Sequence, residues 1–156
     1  MMVCLLSISS LYSQSKKKIR DHKIISETIY NTKVINGKEV SIKDSYVIYD
    51  KNGNIVEQTE YNKEGAVKKT EKTVYNANKD KTEEATYDAN GKLKSKTAYA
   101  YNSSGEKVGE IEYDGNGNII KQSLTVYDAQ GFKVEKKIYD GSKKLLSVKK
   151  YVYSKR

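Results

Sequence analysis

Polar and apolar residues alternate along most of the chain with a period of two. In "KLKSKTAYAY" (92–101), Leu93, Ser95, Thr97, Tyr99 and Tyr101 fall on one face, and Lys92, Lys94, Lys96, Ala98 and Ala100 on the other. No stretch carries the three-to-four-residue apolar stripe of a helix, so the pattern predicts β-structure throughout. Ahead of Tyr49, "KIISETIYNTKVI" and "KEVSIKDSYVIY" read as two strands joined by Asn36-Gly37, a two-residue hairpin signal. Eight more strands follow. The predicted fold is all-β, an antiparallel β-hairpin repeat meander of about ten strands.

The alternation is itself periodic. Tyrosines stand at 49, 61, 75, 87, 101, 113, 127, 139 and 153, at spacings that alternate between 12 and 14. The repeating unit is therefore 26 residues long, and four copies fill 49–152. Each half-unit opens with Tyr-Asp or Tyr-Asn, and six of the eight place a glycine four residues after the tyrosine. Asp or Asn opens a turn because its side chain accepts hydrogen bonds from backbone N–H groups further on. The glycine supplies the left-handed conformation that closes the turn. Lys79 and Lys143 stand where the other six units have glycine, and there Asn78 and the Asp140-Gly141 pair are candidates for shifting the turn.

Such a loop sets the tyrosine opposite the residue six positions later. In the 14-residue half-units, Tyr61, Tyr87, Tyr113 and Tyr139 then face Val67, Leu93, Ile119 and Leu145. In the 12-residue half-units, Tyr49 faces Ile55, while Tyr75, Tyr101 and Tyr127 face Lys81, Lys107 and Lys133. Aromatic–aliphatic cross-strand pairs contribute roughly 0.2–1 kcal/mol each. The lysine stems are expected to lie along the other rings with their ammonium groups in water. On this reading Tyr-Asp is a clasp, in which Asp sets the turn and Tyr the register.

Composition thins this picture. With no Trp, no Pro, one Phe, fourteen Tyr and 31% charged residues, neither face can bury a thick core. A single-layer or gently spiralling sheet is expected over a sandwich, with each hairpin stabilised chiefly by its neighbours. Ten strands at ~4.8 Å would span on the order of 45–50 Å.

Four segments follow from these patterns. Residues 1–15 carry no charge and precede "KKKIR", which reads as the apolar region of a secretory signal rather than a membrane span. Residues 16–48 supply the N-terminal hairpin, 49–153 the four double repeats and 154–156 a basic tail. Cys4 is the only cysteine and lies within 1–15, so the mature chain is expected to hold neither a disulfide nor a cysteine metal site. The small residues that precede a lipoprotein cysteine are missing before Cys4. No transmembrane helix is expected.

The net charge of +9 could attract polyanions through Lys92, Lys94 and Lys96 with Lys149, Lys150, Lys155 and Arg156. Lys and Glu also alternate along the strands, as solvated faces do, and no specific nucleic acid is expected. Candidate chemistry is sparse. His22 is the only histidine, and no Ser/His or Cys/His pairing is available to it. "DKNGN" and "DGNGN" begin like calcium loops, but Tyr61 and Thr125 stand where the closing Glu is needed. No cofactor and no enzymatic role are expected.

Units such as "YDANGKL" and "YDAQGFKV" resemble the YD repeats of the RHS (rearrangement hotspot) family, over 49–153. The resemblance implies antiparallel hairpin sheets without chemistry of their own and a bacterial secreted, periplasmic or outer-surface setting. A binding or scaffold protein with a glycan or protein partner is then expected. The regularly spaced rings of Tyr61, Tyr75, Tyr87, Tyr99, Tyr101, Tyr113, Tyr127 and Tyr139 are its candidate contacts, alongside Lys92, Lys94 and Lys96. A spacer with no ligand is the other expectation.

Overall fold

The computed structural model describes residues 16–154. The predicted leader (1–15) and the last two residues of the basic tail lie outside that range. One helix, α1 (Lys16–Asp21), precedes ten strands: β1 (Ser26–Ile35), β2 (Lys38–Tyr49), β3 (Ile55–Tyr61), β4 (Val67–Tyr75), β5 (Lys81–Asp88), β6 (Leu93–Tyr101), β7 (Lys107–Asp114), β8 (Ile119–Tyr127), β9 (Lys133–Asp140) and β10 (Leu145–Lys150). They form one open antiparallel sheet in strict sequence order. The meander and its ten strands are as the alternation predicts.

The helix corrects the expectation of β-structure throughout. Lys16–Asp21 is too short to show an apolar stripe, yet it consists largely of good helix formers with Lys18 and Arg20 in its last turn, where the helix dipole favours cations. It ends in a paired cap: Ile24 N–H donates to the Ile19 carbonyl at 2.9 Å and Lys23 N–H to the Arg20 carbonyl at 3.0 Å. Lys23 takes the left-handed conformation (φ 54°) that a glycine usually fills there.

All eight predicted tyrosine pairings are present, from Tyr49 opposite Ile55 to Tyr139 opposite Leu145. The backbone clasp is the same at each corner. At the first, Asp50 N–H donates to the Asn54 carbonyl at 2.9 Å and Gly53 N–H to the Asp50 carbonyl at 3.0 Å. The Asp50 carboxylate accepts from the N–H groups of Asn52 and Asn54 at 2.8 and 2.9 Å. The Asn36-Gly37 hairpin also forms, with both residues at positive φ.

Lys79 and Lys143 do not shift their turns. Lys79 N–H donates to the Asn76 carbonyl at 3.0 Å and Lys143 N–H to the Asp140 carbonyl at 3.1 Å, as the glycines do elsewhere. Both lysines are held at φ 69° and 67°. A left-handed non-glycine residue costs roughly 1–2 kcal/mol, partly offset by the lower chain entropy it brings to the unfolded state. Lys79→Gly and Lys143→Gly are each expected to stabilise the fold by about 0.5–1 kcal/mol, read as a rise in urea midpoint.

A second irregularity was not visible in the loops. One residue past each tyrosine's partner is left unpaired: the register moves from Tyr87–Leu93 to Thr86–Ser95, skipping Lys94. The same bulge recurs at all eight tyrosine corners. Successive residues Thr86 and Tyr87 point to opposite faces, so their partners Ser95 and Leu93 do as well. Leu93 therefore leaves the face that simple alternation assigned to it.

Apolar burial is confined. Ile19, Val47 and Tyr49, with Ile55 packed against them, form a small cluster where α1 crosses the start of the sheet. Gly53 is required at this corner twice over, by its φ of 78° and because a Cβ there would lie 2.5 Å from the Lys16 carbonyl oxygen.

Candidate functional site

Strand order sends alternate hairpins to opposite margins of the sheet, and the pairing rows send their tyrosines to opposite faces. Thr59, Thr70 and Tyr87 lie directly across from one another, as do Ala85, Lys96 and Tyr113, and Ile111, Gln122 and Tyr139. Tyr61, Tyr87, Tyr113 and Tyr139 thus share a first face at one margin. Val47, Gln58, Glu71 and Thr86 form a row on the second face, and so do Tyr99, Glu110 and Ser123. Tyr49, Tyr75, Tyr99, Tyr101 and Tyr127 belong to that second face, at the other margin.

The two rows are chemically different. On the first face, lysine ammonium groups cover three of the four rings. Lys43 lies 4.3 Å from the Tyr61 ring centroid and its Nζ donates to the Tyr61 hydroxyl at 2.9 Å; Lys72 lies 5.8 Å from Tyr87, and Lys96 5.0 Å from Tyr113. Such contacts are worth about 0.5–1 kcal/mol at exposed sites. These lysines come from neighbouring strands at differing repeat positions, so one ring position is satisfied in three ways.

On the second face, hydroxyls do the fastening. Tyr101 donates to the Lys81 carbonyl at 2.8 Å and Tyr127 to the Lys107 carbonyl at 3.0 Å, each tying one hairpin to the preceding one at the same margin. Tyr49 donates to Glu27 at 2.7 Å and Tyr99 to Glu84 at 3.2 Å. Lys81 and Lys107 lie opposite Tyr75 and Tyr101 as expected, but their ammonium groups are not left to water. Lys81 pairs with Glu84 at 2.9 Å, and Lys107 pairs with Glu110 at 2.8 Å while its ammonium lies 4.8 Å from the Tyr99 ring.

Lys92, Lys94 and Lys96 do not act together. Lys92 is an exposed turn residue whose N–H donates to the Asp88 carboxylate at 3.0 Å, and Lys94 is the exposed bulge residue. Lys96 is half-buried and faces the Glu83 carboxylate at 3.4 Å. The calcium-like loops are turns, with Asp50 and Asp114 each accepting from their own backbone. Among the described residues, no group of three or more His, Asp or Glu side chains is placed to hold a metal ion, and no helix is long and apolar enough to cross a membrane.

Electrostatics set two pH limits. Hydrogen bonds from Asn118 lower the pKa of Asp114, those from Ser142 lower that of Asp140, and the Lys107 ammonium lowers that of Glu110. Burial pushes Asp50 up, but hydrogen bonds from Asn54 and Asn52 outweigh it and bring its pKa down. A carboxyl lowered in the folded state stabilises the fold above its unfolded pKa, near ~4, and that contribution is lost as pH falls through the folded value. Burial, then the charge of and hydrogen bond to Glu84, pushes Tyr99 up to about 12. Its contribution is complete below the unfolded tyrosine pKa of ~10. It disappears as pH rises toward about 12. Urea midpoints are expected to be flat through neutrality and to fall at both extremes, with Tyr99→Phe flattening the alkaline limb.

No family profile and no curated protein matches the chain. Among solved structures it is similar to a protein of unknown function from Bacteroides fragilis, at 15% identity over 84% of this chain and 96% of that one, with a TM-score of 0.45. A porin-like protein from Bacteroides uniformis matches at 15% identity over 75% and 47%, with a TM-score of 0.38. TarM of S. aureus matches at 17% identity over 83% and 22%, with a TM-score of 0.33, so the chain spans about a fifth of that protein.

Proposed function

We propose that this chain is a non-enzymatic β-repeat module of a bacterial cell envelope or secreted fraction, which binds a glycan through the second face of its sheet. The observation that supports it is the fixed placement of Tyr101 and Tyr127. Their rings sit two strands apart on one face, each held by its hydroxyl on a neighbouring carbonyl. At ~4.8 Å per strand the spacing is roughly 10 Å, suited to successive units of an extended sugar chain. Between the two hairpins lies an open groove of about 610 Å³ whose lining includes Asn102, Glu106, Thr125, Tyr127, Asp128 and Gln130. Such side chains can exchange hydrogen bonds with sugar hydroxyls, and a ring already anchored loses little entropy on stacking. The resemblance to YD repeats favours the same setting.

A glycan array with wild type, Tyr101→Phe/Tyr127→Phe and Tyr101→Ala/Tyr127→Ala tests this. The phenylalanine variant is expected to bind, and the alanine variant to lose roughly tenfold in affinity per ring. Equal binding by the folded alanine variant, or no binding by wild type, overturns the reading. Polyanion binding is the weaker alternative because Lys96 is already engaged with Glu83 and Tyr113.

A further inference from the structure

The two ends of the sheet are not alike. β10 is six residues long, starts in a bulge at Leu146 and carries Lys149 and Lys150, three features that blunt an edge against pairing. β1 runs ten residues, SETIYNTKVI, with a single lysine and no proline. Among the described residues only β2 pairs with it.

Half of β1 also lacks lateral support. β3 pairs with β2 only from Ser45 onward, so Tyr30–Ile35 and Lys38–Lys43 pair with each other alone. These six-residue segments form a two-stranded arm about 20 Å long, and every residue from 30 to 41 is exposed. Tyr30, Val34 and Ile35 are 60%, 70% and 52% exposed. A two-stranded ribbon on its own is marginally stable in water.

We propose that the outer edge of β1 pairs with the same edge of a second copy, antiparallel about a two-fold axis that sets Tyr30 opposite Tyr30 of the second copy, to give one sheet of twenty strands. In this register Glu27 lies opposite Lys33 of the second copy, twice across the axis, so opposite charges meet. Each arm gains a third strand, and the two blunted β10 edges are left outermost. The contact is self-complementary and therefore closes at two copies, whereas β1 on β10 would leave free ends and build an open filament.

Sedimentation velocity of the full chain over a concentration series reads the assembly, with circular dichroism to check each variant's fold. Wild type is expected to dimerise. Lys33→Glu sets glutamate against Glu27 twice across the axis and is expected to weaken the dimer about tenfold. Lys33→Arg, which still pairs with Glu27, is expected to retain it, and the swap Glu27→Lys/Lys33→Glu to restore it. A monomeric wild type, open-ended polymers, equal dimerisation by Lys33→Glu, or failure of the folded swap variant would each overturn the proposal.

Discussion

Ile19→Ala is expected to lower the unfolding free energy by about 2–4 kcal/mol, a large loss for one side chain on so thin a protein. Ile19 is 3% exposed and packs with Val47, which is 2% exposed, and with Tyr49. Truncation removes apolar contact and leaves a void that α1 cannot close, because the Ile19 and Arg20 carbonyls are held by the cap that turns the chain into β1. The loss should also be local. In a sheet whose strands touch only their sequence neighbours, stability passes from each strand to the next. Amide hydrogen exchange is therefore expected to quicken in β1 to β3 and to change little in β6 to β8. Uniform acceleration across all ten strands would contradict this account.

Asp50→Ala should be the most damaging of the clasp substitutions, at about 1–3 kcal/mol. Its carboxylate accepts from Asn52 N–H, from Asn54 N–H and from the Asn54 side-chain amide at 3.0 Å. Asn54 is 2% exposed, so water cannot replace what it loses. The Asn54 oxygen also receives Lys16 Nζ at 3.0 Å, which ties the helix to the first turn. At Asp128 the equivalent acceptors serve exposed donors, Gln130 and Phe132, and alanine should cost visibly less there. Asp50→Asn is the control: Asn62, Asn76 and Asn102 open the same clasp elsewhere, so most of the stability should return. Urea denaturation of the three variants checks the order. Equal losses for Asp50→Ala and Asp128→Ala would remove burial as its cause.

The register was legible because the turn is a local device. Given Tyr-Asp-x-x-Gly, the hydrogen bonds within five residues fix which positions face each other, and no distant contact is needed. The same locality explains Lys79 and Lys143: the neighbouring hydrogen bonds are enough to hold a lysine at positive φ, so the turn does not shift. What escaped the sequence depended on contacts made across it. The bulges at positions such as Lys94 and Val108 follow a residue past the turn and have no composition signal, since Val, Lys, Thr, Ile and Leu all occupy them. Missing them misassigned Leu93 to a face. Lys107 does lie opposite Tyr101, but its ammonium reaches the Tyr99 ring, which the pairing alone does not reveal. The helix was hidden because six residues, mostly basic, reveal their one apolar member, Ile19, only against Val47 and Tyr49. For the tyrosines, spacing alone gave their number and margin. Which ones are capped by ammonium groups and which are pinned through their hydroxyls depends on partners on the neighbouring strand.

Because each 26-residue unit begins and ends at an equivalent clasp, the molecule has a natural currency of length. Joining Tyr75 directly to Asn102 rebuilds an intact Tyr-Asn corner and removes two strands without altering which surface any remaining ring occupies. Duplication of a unit does the reverse. Span can therefore drift by whole modules while every junction stays chemically familiar, which on the proposed reading would let such a sheet match glycans of different reach.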